Sequence, residues 1–381
     1  MLARRVVNET ITKSDCRGWQ AFRVAQAMSS TSTYKILIIG PAWIGDMIMA
    51  QSLFKALCQQ HDNGEISVMA PPFTQPLLAR MPEVSEALML DLAHGELDLR
   101  KRRRLGKALV SRRFDHAYVL PNSFKSALIP FHAGIGRRTG WAGEFRRPLL
   151  TDIRRLDKDR YPLMVQRFVA LAYPPGSAPP VDCPKPQLTV DSLQQAETLG
   201  AFGLQHDSRV IGICPGAEFG PAKQWPAEHY AELVNDLLAK GREVWFFGSP
   251  KDELMVESIL ADVEPSMLAR CVNLAGRTSL GQAIDLLAAT EAVISNDSGL
   301  MHIAAALNKP VIAIYGSTTP DFTPPLADKV KLLATDIECR PCFKRTCPFG
   351  HLRCLRELRP QLAIDAAAEL LEVAPEVTEL K

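Results

Sequence analysis

The chain has 381 residues, enough for two domains, and its 47% hydrophobic and 23% charged content is that of a folded globular protein rather than a disordered or fibrous one. No uncharged apolar run approaches the roughly 18 residues of a membrane-spanning helix, so none is expected. The formal net charge of +2 hides an asymmetry, because residues 100–160 carry 17 Lys/Arg against 5 Asp/Glu. That region is expected to face something anionic: phosphate, a carboxylate sugar, nucleic acid or a membrane surface.

Residues 1–33 read as an extension outside the fold, expected to be disordered. They hold several arginines but no apolar segment of signal-peptide type. Met28, just before "SSTSTY", would be a natural start, and an organelle transit peptide is the weaker alternative. Without a signal peptide the expected location is the cytoplasm, with most of the nine cysteines reduced.

The first strand, "KILII" (35–39), breaks at Gly40, and a helix pattern over 45–60 follows with Met47, Ala50, Phe54 and Leu57 on one face. The turn between them reads Gly40-x4-Gly45-Asp46 rather than G-x-G-x-x-G, so a carboxylate stands where a dinucleotide's pyrophosphate would rest. Asp46 next to free amides of a helix start reads either as a capping aspartate or, if it faces a cleft, as a general base of low pKa. Further strands at 65–70, 86–91 and 116–121, with a helix at 97–112, imply a parallel sheet covered on both faces.

Six of the 28 prolines fall within "YPPGSAPPVDCPKP" (173–186), too dense for helix or central strand. The alternation then restarts, with strands at 209–215, 243–248, 292–296 and 311–316. Helices are expected at 227–240, 252–261, 280–289 and 298–307. This organises the chain into a first Rossmann-like domain (34–175), a linker (176–186), a second domain (187–358) and a C-terminal segment (359–381). The helix in that last segment, about 361–373, is expected to pack back on the first domain. The fold class is α/β, two Rossmann-like doubly wound units facing across a cleft, with ligands at the carboxyl ends of both sets of strands.

The phosphate candidates lie in the second unit. In "ISNDSGLMH" (294–302) a strand runs into Asp297-Ser298-Gly299 and a helix start, a natural anion site, with His302 one turn on. Asp297 could hold ribose hydroxyls or cap the helix. In "CPGAEFGPAKQWP" (214–226), Lys223 is placed to reach a diphosphate. Asp252 in "FFGSPKDE" (246–253) either binds ribose or caps a helix. The segment "CRPCFKRTCPFGHLRC" spaces Cys339, Cys342, Cys347 and Cys354 as C-x2-C-x4-C-x6-C. It admits a structural zinc, a reduced cluster bracing a loop, or redox use. Asp157-x-Asp159 follows no apolar strand and reads as surface charge rather than a metal-binding pair.

Together, "KILIIGPAWIGDMIMAQSLFKAL", "RRTGWAGEFRRPLLTD", "PGAEFGPAKQWP", "NDSGLMHIAAALNKPVIAIYGSTTPDFTPPL" and the cysteine segment resemble the ADP-heptose:lipopolysaccharide heptosyltransferases, from about Tyr34 to the C-terminus. The resemblance implies a GT-B architecture and an inverting transfer without cofactor or metal. It implies that Asp46 is the catalytic base and Lys223 the diphosphate lysine. Asp297, Ser298, Gly299, His302 and, less securely, Asp252 would bind ADP-heptose on the second domain. The acceptor it implies is lipopolysaccharide core, Kdo-lipid A, on the first. Gly40, where a related branch has lysine, favours the branch whose acceptor already carries one heptose. Arg137, Arg138, Arg146 and Arg147 would then bind acceptor carboxylates and phosphates. The same charge would hold the enzyme peripherally at the anionic inner membrane surface, with no nucleic acid involved. Two rival readings remain at this level: a nucleotide-sugar epimerase of the same fold, and a zinc-stapled nucleic-acid binder using residues 100–160.

Overall fold

The computed structural model describes residues 33–92, 96–178, 182–205 and 209–371. The expected disorder of residues 1–32 and the residues beyond 371 therefore fall outside it. Twelve strands occur among the described residues, in two six-stranded sheets. The first contains β1 (Tyr34–Ile39), β2 (Gly64–Ala70), β3 (Val84–Met89), β4 (His116–Val119), β5 (Arg137–Trp141) and β6 (Asp152–Arg154). The second contains β7 (Val210–Cys214), β8 (Glu243–Phe246), β9 (Cys271–Asn273), β10 (Ala292–Asn296), β11 (Val311–Tyr315) and β12 (Val330–Ala334). The first sheet runs β3-β2-β1-β4-β5-β6 and the second β9-β8-β7-β10-β11-β12, the same doubly wound order twice, with every pairing parallel.

Central strands β7, β10 and β11 are buried at every residue. Parallel strands covered by helices on both faces read as continuous apolar runs for that reason. Four strands escape the expected pattern. β6 and β9 have three residues each, β5 opens on two arginines, and β12 is only half-covered.

The helices that matter below are α1 (Ile44–Gln60), α2 (Leu99–Ala108), α3 (Phe124–His132), α4 (Met164–Val169), α5 (Ser192–Ala201), α6 (Ala227–Ala239), α7 (Glu253–Ala261), α8 (Leu280–Ala289), α9 (Gly299–Ala306) and α10 (Pro360–Leu371). Helix α1, from the first lobe, packs directly along α9 of the second. Met47, Ile48 and Leu53 join Ile303, Ala304 and Ala305 in one apolar core that runs through both lobes. Helix α10 lies against α6 and β12, with Ala363, Ala367 and Leu370 in the second lobe's own core. The expected return of this helix to the first lobe is therefore corrected: its apolar face is used up locally.

Strand direction also corrects three of the four arginines proposed for the acceptor. Arg137 and Arg138 open β5, and β5 runs parallel to β4, so both sit at the amino edge of the sheet, away from the ligand edge. Arg138 donates through Nε to Leu149 O at 2.6 Å and stacks over Phe131 at 5.6 Å. Arg146 follows the carboxyl end of β5 but is fully buried. It donates to Trp141 O (2.9 Å), Asn122 Oδ1 (3.0 Å) and Pro121 O, pinning the loop after β5 to the loop after β4. Only Arg147 is both exposed and on the carboxyl side.

A buried guanidinium whose donors all meet carbonyls leaves several acceptors orphaned when removed. Arg146→Ala should lower unfolding stability by about 2–4 kcal/mol in urea titrations, and Arg147→Ala by less than about 0.5 kcal/mol. Equal effects would contradict this division of roles.

Candidate active site

The carboxyl edges of β1 and β10 carry the two halves of the site. Helix α1 begins one short turn after β1, with Trp43 at its cap and Asp46 in its first turn. Helix α9 begins two residues after β10, with Ser298 as its cap, the hydroxyl accepting from Met301 N at 3.4 Å. The first amides of a helix have no intrahelical partner, so each start presents donors and a positive dipole end. The two starts touch. A Cβ added at Gly45 would lie 2.7 Å from His302 Cδ2, and one at Gly299 would lie 2.9 Å from Ile44 Cβ. These two glycines allow the approach, and nothing larger fits at either without movement.

Lys223 reaches the same place from the loop after β7. Asn296, fully buried, organises that loop: its amide donates to Pro215 O at 2.5 Å, and its Oδ1 accepts from Trp225 N and Tyr230 Oη. Gly220 has φ +147°, and a Cβ there would lie 2.5 Å from Arg345 O, so the chain needs glycine at this bend. Lys223 Nζ then donates to Asp297 Oδ2 at 2.6 Å, and Thr318 Oγ1 donates to the same oxygen at 2.6 Å. Asp297 is 4% exposed. Its Oδ2 orients Lys223, and the helix cap is Ser298 rather than Asp297.

Asp252 is likewise committed. Its Oδ2 accepts from Ser249 N and Ser249 Oγ, both at 2.8 Å, closing a capping box ahead of α7. It still lies at the carboxyl edge, packed against Gly216.

The electrostatics differ from the sequence-based expectation of an acidic, weak base. Burial pushes the Asp46 carboxyl up to about 6, against the pull of Lys223 and with the help of Asp297. Desolvation outweighs the attraction because Lys223's charge is already balanced by Asp297. Burial holds the His302 imidazole down at about 4, so it is neutral near pH 7.

The cysteine segment forms the remaining wall. Cys339, Cys342, Cys347 and Cys354 are free thiols lining one small cavity with His351, Ala222 and Ser317. Among the described residues, no group of three or more His, Cys, Asp or Glu side chains is arranged to hold a metal ion. The segment braces instead: Ala222 N donates to Arg345 O (3.0 Å) and Phe343 N to Ser317 O (2.8 Å), while Arg340 donates to Gly316 O and Thr318 O. Both loops that orient Lys223 are thereby tied to it. Sequence reasoning missed Thr318, Phe219 and Arg345. Their only signal is position: Thr318 in the loop after β11, Phe219 in the loop after β7 and Arg345 inside the cysteine run.

Among known proteins, a family model described as glycosyltransferase family 9 (heptosyltransferase) matches residues 102–353. Lipopolysaccharide heptosyltransferase 2 of Escherichia coli K12 is 48% identical over 342 residues, covering 88% of this chain and 98% of that protein. Lipooligosaccharide heptosyltransferase 2 of Haemophilus influenzae is 49% identical, with 88% and 99% coverage. The solved structure of E. coli ADP-heptose lps heptosyltransferase II superimposes with a TM-score of 0.79 at 47% identity, covering 89% of this chain and 98% of that one.

Removing a cation disfavours a nearby carboxylate's charged form. The Asp46 carboxyl should therefore titrate near pH 6 by carbon-13 NMR, with its midpoint higher in Lys223→Met and lower in Asp297→Asn. An Asp46 midpoint near 4 in the unaltered protein, or one indifferent to both changes, would contradict the geometry described.

Proposed function

This chain belongs to glycosyltransferase family 9, the heptosyltransferases, and on that footing we propose that it moves L-glycero-D-manno-heptose from ADP-heptose to the first heptose of a lipopolysaccharide inner core. The observation that carries the mechanism is the opposition of Asp46 and Lys223. One comes from the carboxyl edge of the first sheet and the other from that of the second, close enough for Lys223 to act on the Asp46 carboxyl.

A base on one lobe and a leaving-group clamp on the other suit an in-line displacement. Asp46 takes the proton of the acceptor hydroxyl as its oxygen attacks the anomeric carbon. The carbon–oxygen bond to ADP breaks on the far side, and the sugar passes through an oxocarbenium-like state and inverts. Lys223 and the amides of Ser298 and Gly299 receive the negative charge that develops on ADP. A carboxyl near 6 is ionised at neutral pH yet basic enough to be useful, so burial improves Asp46 as a base. His302, neutral and packed on Gly45, fills the seam between the helix starts without adding charge. No metal or other cofactor is assigned a part in these steps.

The acceptor side is proposed to use Arg147 rather than the other three arginines, with exposed Arg100, Arg103, Arg104 and Lys107 of α2 available to an anionic membrane surface. Among the described residues no helix is long and apolar enough to cross a membrane. Within the same region Arg102 and Arg146 are buried, Arg112 pairs with Glu86 and Arg154 with Asp152, so these four serve the fold. An epimerase reading leaves the Asp46 approach to an acceptor hydroxyl without a purpose.

Asp46→Asn should cut turnover by about 10²–10⁴-fold with ADP affinity little changed. In the unaltered enzyme, log kcat/KM should fall by about one per pH unit below roughly 6, because protonation removes the base, and Asp46→Asn should lose that limb. Near-normal turnover in the variant would refute the assignment. Offered core acceptors of different length with ADP-heptose, the enzyme should prefer the one ending in a single heptose. Equal use of the heptose-free core would refute that choice of acceptor.

A further inference from the structure

We infer that Arg345, on the cysteine-rich loop, is a second phosphate-binding cation of the cleft, acting beside Lys223. The inference builds on the proposed function, which supplies a diphosphate and a phosphate-bearing acceptor.

The starting point is a charge shortfall. Lys223 and Asp297 are in contact at 2.6 Å, with their side chains only 13% and 4% exposed, so locally the pair is neutral. A sugar-nucleotide diphosphate brings two negative charges, and its departure as a nucleoside diphosphate adds another. A lysine already balanced by a buried carboxylate cannot offset that charge alone. Asp46, a carboxylate on the facing helix, deepens the deficit.

Arg345 stands where the missing charge is needed. Its guanidinium lies 5.3 Å from the centre of the Phe219 ring, while Lys223 Nζ lies 4.9 Å from the same centre, so the two cations flank one aromatic ring. It is also 5.9 Å from the ring of Trp43, the residue that caps the helix carrying Asp46. The guanidinium therefore sits on the line where the two lobes meet. Stacking on aromatic faces fixes the plane of a guanidinium while leaving its edge donors free.

Those donors are free here. The side chain is exposed and, among the described residues, makes no hydrogen bond and no ion pair. Its backbone is fixed, because Arg345 O accepts from Ala222 N at 3.0 Å and Gly220 lacks the Cβ that would collide with that oxygen. The carbonyl of Arg345 is thus registered against the loop that ends in Lys223. Arg340, the other guanidinium nearby, spends its donors on backbone carbonyls and is not available. A planar fork of free donors, fixed at its base and beside a neutralised lysine, is suited to bidentate contact with phosphate oxygens.

Phosphate in the cleft has two sources, the donor's diphosphate and phosphate on the acceptor core, and the test separates them. Full-length protein, Arg345→Ala and Arg345→Lys are compared by calorimetric titration with ADP and adenosine. Steady-state kinetics are run on phosphorylated and dephosphorylated core acceptors. If the donor is the source, Arg345→Ala weakens ADP by about tenfold, the scale of one charge-assisted contact, and leaves adenosine unchanged. Arg345→Lys restores part of the loss, since it returns the charge without the fork. If the acceptor is the source, ADP affinity is unchanged and KM rises about tenfold for the phosphorylated acceptor only. Changes under twofold in every measurement, or a loss shared equally by adenosine, overturn the inference. Failure of the unaltered protein to bind ADP would instead overturn the functional reading on which it stands.

Discussion

The meeting of two helix starts across the lobes is the constraint that organises this protein. Helix α1 brings Asp46 and helix α9 brings the amides of Ser298 and Gly299, and they approach only because positions 45 and 299 have no side chain. Both dipoles point their positive ends into one small volume. Burial at this junction is the largest cause that raises the Asp46 carboxyl to about 6. Geometry, charge and basicity at this point are therefore consequences of one contact.

Around that contact, the second lobe builds its grip from long-range pairings. Asn296 at the end of β10 holds the loop after β7, Asp297 turns Lys223 inward, and Thr318 after β11 shares the same carboxylate oxygen. Parallel topology is what makes this possible. Three strands deliver their following loops to one sheet edge, so residues 74 and 21 positions apart become neighbours. The cysteine-rich segment then closes the back of the arrangement through backbone hydrogen bonds to residues 222 and 317.

What was legible in the sequence was local. The strand–Gly–helix break at 35–60 exposed Asp46 because strand, turn and helix periods change within a few residues. The buried strands of both sheets announced themselves as apolar runs for the same reason. What depended on partners distant in sequence was not legible. Asp297 could be picked out, but its role turned on Lys223 and Thr318. The excess of arginine between 100 and 160 was visible as composition, yet composition carries no strand direction. Arg137 and Arg138 proved to lie at the wrong end of β5, and Arg146 proved to be an internal clasp. Arg345 drew no notice because it is one of several basic residues among the cysteines with no pattern of its own; the rings of Phe219 and Trp43 give it a place.

The apolar core shared by α1 and α9 reaches beyond catalysis. Because Met47, Ile48 and Leu53 are packed into the same interior as Ile303, Ala304 and Ala305, the lobes are not interchangeable modules joined by a tether. Grafting a foreign nucleotide-binding half onto residues 34–175 would require redesigning that seam as a matched pair. The loops at the sheet edge lie outside that joint, so side chains there can change without disturbing it.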